Sequence, residues 1–182
     1  MKYISAITLI TALVITGTIF IKAQDSGETD SKIKWYTIQE ALELNKKKPK
    51  KIFIDVYTSW CGWCKVMDKN TFSNPVIAEY MNENYYPVKF NAEGTDTIEY
   101  EGKTFINKGM GRRGTHEFAI AILQGRLGYP SIVFMDEDSK LLTKQPGYHT
   151  PEKLEPLLAF IAEDAYKKTN YDEFIKTFKS KL

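Results

Sequence analysis

The sequence predicts an α/β layered domain. Short apolar runs alternate with segments whose apolar residues recur at helical spacing, and several of those segments open on a capping residue. Length and composition agree: 182 residues suit one domain plus an extension, and 43% hydrophobic with 26% charged residues is ordinary globular usage. Both cysteines of the chain, Cys61 and Cys64, fall in one Cys-x-x-Cys directly after one of the apolar runs.

Before the domain, Met1 and Lys2 open a run from Tyr3 to Ile21 that carries no charge and ends in Lys22-Ala23-Gln24-Asp25. This reads as an export segment, with Ala23 a small residue suited to cleavage before Gln24. The run is near the length of a membrane span, so an uncleaved anchor is the alternative to a signal peptide over residues 1–23. Its threonines and serine make it weakly apolar for an anchor, which favours removal. Residues 24–32 are polar and include Ser26, Gly27 and Ser31, the composition of a flexible linker.

Thr37-Ile38-Gln39-Glu40 has the form of a capping box and starts a helix with Ala41, Leu42 and Leu44 inward, ending near Pro49. The run Lys46-Lys47-Lys48-Pro49-Lys50-Lys51 reads as a solvated helix end and a turn. Ile52 to Tyr57 is nearly continuous in apolar residues, as a central strand buried on both faces is, with Asp55 the exception. A helix follows from the cysteines through Val66 and Met67 toward Asn70. Asn74-Pro75 caps the next, with Ile77, Tyr80 and Met81 at helical spacing, and Val88 to Asn91 is a strand. Residues 92–113 are glycine-rich and polar, an inserted loop or small hairpin around Ile98 to Phe105. Thr115 starts a helix with Phe118, Ala119, Ile122 and Leu123 buried, and Ile132 to Asp136 is a strand. Thr150-Pro151 opens another helix, in which Pro156 is expected to make a kink or mark a later start. Tyr171, Phe174, Ile175 and Phe178 form the stripe of a C-terminal helical extension, residues 167–182, packed on the domain.

Chemistry concentrates in Trp60-Cys61-Gly62-Trp63-Cys64-Lys65. A strand running into a helix at Gly62 puts the first sulfur at the helix N-terminus, where unpaired amides and the helix dipole favour a thiolate, with the second sulfur one turn away. A purely structural disulfide would close a very short loop and contribute little stability. A zinc site would need His116 and His149, which are far apart in sequence. Asp55, six residues before Cys61, is an acid in an apolar strand, and burial raises the pKa of such a group toward the working range, where it can take a thiol proton through a water. A strand-end aspartate in contact with solvent is the plainer alternative.

From about Trp35 to Tyr166 the chain resembles the thioredoxin-like superfamily, in particular its exported bacterial domains with Trp-Cys-Gly-Trp-Cys-Lys followed by Thr-Phe-x-x-Pro, here Thr71 to Pro75. The resemblance implies a three-layer fold, a central mixed sheet flanked by helices, over residues 33–166. It places Asp55 where the family keeps a buried acid under the second cysteine, and Lys89 where it keeps a lysine beside that acid. Gly128-Tyr129-Pro130-Ser131 matches the family's cis-proline loop, and Gly147 the glycine after the last strand.

These residues point to thiol-disulfide exchange on protein substrates. Cys61, expected to be the more exposed sulfur, attacks a substrate disulfide; Cys64 resolves the mixed disulfide with help from Asp55. Trp60, Gly62, Trp63, Tyr129 and Pro130 form the substrate surface, and no second cofactor motif is present. Neither Gly62 nor Trp63 supplies a cation to stabilise the thiolate, which favours a reductase over an oxidase or isomerase; a scaffold with idle thiols is the remaining alternative. A periplasmic or otherwise exported location follows from the N-terminal segment, and a membrane electron donor is implied by the resemblance alone. Residues 1–23 hold Lys2 and Lys22 and no acid, so a chain from Gln24 carries 23 basic and 23 acidic side chains, which leaves no basic field for nucleic acid. Lys108, Arg112 and Arg113 read as a solvated basic loop, with recognition of an acidic partner the alternative.

Overall fold

A computed structural model describes residues 32–109 and 114–182. The expected export segment, most of the expected linker, Arg112 and Arg113 lie outside the described residues. The elements run α1 (Ile38–Lys47), β1 (Lys51–Tyr57), α2 (Gly62–Met67), α3 (Pro75–Asn84), β2 (Tyr85–Asn91), β3 (Ile98–Tyr100), β4 (Lys103–Phe105), α4 (Glu117–Ile122), β5 (Ser131–Met135), β6 (Leu141–Pro146), α5 (Pro151–Ala162) and α6 (Tyr171–Thr177).

Four strands form a mixed sheet in the order β2-β1-β5-β6, with β1 and β2 parallel and the other two pairings antiparallel. Burial on both faces explains the near-continuous apolar run of β1. Ile52, Ile54 and Val56 face a core with Ala41, Phe118 and Val133. Phe53 turns to the opposite face, among Met67, Ile77, Met81, Phe134 and Leu158. Flanking helices on both sides make the three-layer α/β arrangement expected from the sequence.

The capping box of α1 forms as read, with the Glu40 amide donating to Thr37 Oγ1 and the Thr37 amide to Glu40 Oε2. Asn74 caps α3 through the Val76 and Ile77 amides, with Pro75 in the first turn. The insertion contains a two-stranded hairpin, β3 with β4, turned by Glu101 and Gly102 at positive φ. Its Tyr100 and Phe105 rings both lie 5.5 Å from Phe118, so the hairpin is sealed onto α4.

Several local expectations differ. Strand β2 begins at Tyr85, ahead of the expected Val88, with Pro87 inside it. The proline is tolerated because β2 is an edge strand, and the Pro87 carbonyl accepts from the Tyr36 amide outside the sheet at 2.8 Å. Lys51 is not part of a solvated turn: it is buried as the first residue of β1, and its ammonium pairs with Glu137 at 2.6 Å and Asp164 at 2.8 Å. Helix α4 is capped by His116 rather than Thr115, with Nδ1 accepting from the Phe118 amide at 3.0 Å. Helix α5 runs unbroken through Pro156, held by burial of Leu154, Leu157, Leu158 and Ile161. The C-terminal stripe is only half packed: Tyr171 and Phe174 lie 5.3 and 5.2 Å from Phe160, whereas Ile175 is exposed.

Candidate active site

Strand β1 delivers the chain to Thr58, whose carbonyl accepts from the Cys61 amide at 3.1 Å, and α2 begins one residue later. Cys61 is therefore the N-cap of α2, and its Sγ accepts from the Cys64 amide at 3.1 Å. The two cysteines form a disulfide with Cα atoms 5.3 Å apart. Helix α2 does not continue regularly to Asn70: after Met67 it widens into a π-helical turn over Asp68–Phe72, a distortion common beside functional residues.

As a disulfide both cysteine residues are buried, Cys61 4% and Cys64 3% exposed. The indoles stand out instead, Trp60 at 50% and Trp63 at 61%. Trp60 meets the Tyr129 ring edge-on at 6.1 Å, and its Nε1 donates to Glu93 Oε1 at 2.9 Å. Trp63 lies against Tyr148, ring centres 5.4 Å apart. The Tyr129–Pro130 peptide bond is cis, and the Pro130 carbonyl accepts from the Gly147 amide at 2.8 Å. Gly147 has φ +90°, which a side chain would strain.

Asp55 is 1% exposed, so the solvated alternative does not hold. Parallel register sets it beside Lys89, and the Lys89 ammonium lies 2.6 Å from Asp55 Oδ2. Lys89 also donates to Asp68, and sits 5.0 to 5.2 Å from the ring centres of Trp35, Tyr57 and Phe72. Burial pushes the Asp55 carboxyl up to about 6 despite the opposing pull of Lys89. Burial works to lower the Lys89 pKa, but the Asp55 and Asp68 carboxylates hold it above its ordinary value. Asp55 Oδ1 is buried without a hydrogen-bond partner. The site combines a disulfide-forming cysteine pair at the start of α2 with a buried acid in the preceding strand, whose carboxyl burial pushes up to about 6.

Asp68, Glu93 and Tyr148 are additions to the residues singled out from the sequence. Asp68 lies four residues after Cys64, one helical turn on, and that spacing is a signal. Glu93 and Tyr148 reach the site only through the fold. His116 is buried, its Nε2 2.7 Å from the Asp96 carbonyl, and the His149 carbonyl accepts from Thr71 Oγ1 at 2.6 Å. Lys108 pairs with Glu117. Among the described residues no three His, Cys, Asp or Glu side chains are grouped to hold a metal ion, and no helix is long and apolar enough to cross a membrane.

Residues 26–170 match a family model described as "Thioredox_DsbH: Protein of unknown function, DUF255". The chain is 35% identical over 75 residues, 41% of its length, to spermatogenesis-associated protein 20 of Rattus norvegicus. It is 25% identical over 123 residues, 65% of its length, to the thiol:disulfide interchange protein DsbD of Actinobacillus pleuropneumoniae. It spans 10% of the rat protein and 18% of DsbD. The fold is similar to a solved structure described as "DsbH Oxidoreductase", with TM-score 0.51 and 17% identity over 87% of this chain and 95% of that one.

Proposed function

We propose, from the premise that this chain belongs to the Thioredox_DsbH family of thioredoxin-like proteins, that it is an exported thiol-disulfide oxidoreductase that reduces protein disulfides. The observation that carries this reading is the Cys61–Cys64 pair at the start of α2, with the Cys64 amide directed at Cys61 Sγ. That amide and the helix dipole stabilise a Cys61 thiolate.

The thiolate attacks one sulfur of a substrate disulfide; a bond forms from Cys61 Sγ to that sulfur, and the other leaves as a thiolate that takes a proton from solvent. Cys64 then loses its proton to Asp55 through a bridging water and attacks Cys61 Sγ. The substrate's second sulfur leaves as a thiolate and takes a proton from solvent, Asp55 gives its proton back to solvent, and the pair is left oxidised. Two electrons pass from the protein to the substrate. Lys89 positions the Asp55 carboxylate. Trp60, Trp63 and Tyr129 offer apolar surface, with Gly62 between the sulfurs. Pro130 has no amide to compete with a substrate strand for hydrogen bonds.

The absence of a cation at Gly62 and Trp63 supports the reducing direction. Similarity to a protein named for thiol:disulfide interchange supports exchange with redox partners, the membrane donor remains what the thioredoxin-like resemblance implies, and the apolar segment before Lys22 supports export. Equilibration of the full chain with redox buffers tests the direction. A potential near about −270 mV fits a reductase, one near about −120 mV would replace this reading with an oxidase, and no reversible two-electron couple would overturn both.

A further inference from the structure

The rim of the site on the Trp60 side is built by the insertion. Asn107 donates through Nδ2 to the carbonyls of Glu93, Gly94 and Gly114 at 3.2, 3.1 and 2.8 Å. Asn91 closes the same turn from the strand side, its Oδ1 accepting from the Glu93 amide at 3.0 Å and its carbonyl from the Gly94 amide at 2.9 Å. A backbone tied this tightly fixes where the Glu93 side chain leaves the chain. Its Oε1 takes the Trp60 Nε1 proton at 2.9 Å, and Trp60 in turn meets Tyr129 of the proline loop. Glu93 is close enough to Tyr129 for its charge to help raise the phenol pKa, after the larger effect of burial. Glu93 Oε2 makes no hydrogen bond or ion pair among the described residues. Among the described residues, one oxygen of this carboxylate at the lip of the site holds the indole and the other is open.

Resting on the thiol-exchange reading above, we propose that Glu93 determines specificity: its carboxylate selects substrate segments that carry a lysine or arginine beside the disulfide, and Asn107 is the positioning residue that holds it there. A cationic side chain next to the attacked sulfur gains an ion pair with Glu93 as the Cys61 Sγ to substrate sulfur bond forms. An acidic one is repelled.

The test uses the full chain with Cys64→Ser, so that the first exchange alone is read, and three peptides whose single cysteine is joined to a nitrothiobenzoate thiol. They differ only in lysine, glutamine or glutamate beside the cysteine. Cys61 displaces the coloured thiolate, which leaves with the bonding electron pair. At low ionic strength the lysine peptide reacts about threefold faster than the glutamine one, the size of an exposed ion pair, and the glutamate peptide slowest. Added Glu93→Gln retains an acceptor for Trp60 and collapses this ranking, and Asn107→Ala weakens it. Equal rates for the three peptides, or a ranking unchanged in Glu93→Gln, would overturn the assignment of Glu93 alone. No release from any peptide would instead overturn the exchange reading, and this assignment with it.

Discussion

In the proposed mechanism Asp55 and the two cysteines divide the chemistry between them, and each role carries a separate prediction. With Cys61→Ser no turnover remains, whereas Cys64→Ser accumulates mixed disulfides visible as a mass shift on non-reducing analysis; equal behaviour of the two variants would reject the assigned order of attack. Asp55→Asn slows resolution by on the order of 100-fold at neutral pH, the usual scale for a lost general base. In the wild type that rate rises as pH passes about 6, because only the ionised carboxylate accepts a proton, and the asparagine variant lacks this limb. Stability moves the other way. The carboxyl titrates near 6 when folded against 3.8 as its ordinary value, so the folded state binds the proton more tightly. Well below pH 3.8 both states are protonated and nothing is lost; as pH rises from there through 6 the folded state gives up an advantage of about 3 kcal/mol. Asp55→Asn is accordingly more stable than wild type in urea at pH 7.5, and this pH-linked difference vanishes near pH 3.

At the scale of elements, what could be read from the sequence was what has a local cause. Thr37 with Glu40 and Asn74 with Pro75 satisfy helix amides within their own turn, so both starts were visible in four residues. Thr37→Ala costs about 1 kcal/mol in chemical denaturation. The hairpin from Ile98 to Phe105 was visible through its glycine turn. Elements set by tertiary partners were not. Pro87 looked like the outside of a strand because nothing local says that β2 is an edge strand. Pro156 looked like a break because the core under α5 cannot be seen from the helix alone. That proline still forfeits the bond its amide would give to the Glu152 carbonyl. Pro156→Ala restores the donor and raises the melting temperature; a lower value would show that its ring packing outweighs the missing bond. The site follows the same division: Cys61, Cys64 and Pro130 sit in short motifs, Asp55 stands out as an acid in an apolar strand and Lys89 through the family resemblance, while Glu93 and Tyr148 carry no local signal and reach the site only through the fold.

In the whole molecule, one aromatic residue of β1 gathers rings from β2, β5, the π-helical turn and the segment before α1. Phe53 lies 5.4 Å from Phe134, 6.0 Å from Phe72, 6.3 Å from Tyr85 and 6.5 Å from Trp35. Phe53→Ala costs about 3 to 5 kcal/mol in urea unfolding, and a loss under 1 kcal/mol would mean that the surrounding rings close the gap. The sheet keeps this core apart from the one that holds α4 and the hairpin, and the two flanks of the disulfide fall on opposite sides of that partition. Tyr148, behind Trp63, packs with the Phe53 core; Tyr129, behind Trp60, packs with the other. The two flanks of the disulfide thus rest on different cores, one on each face of the sheet. Variation in the insertion can retailor the Trp60 flank, and with it the substrate choice proposed for Glu93, while the flank that carries α2 is left as it was.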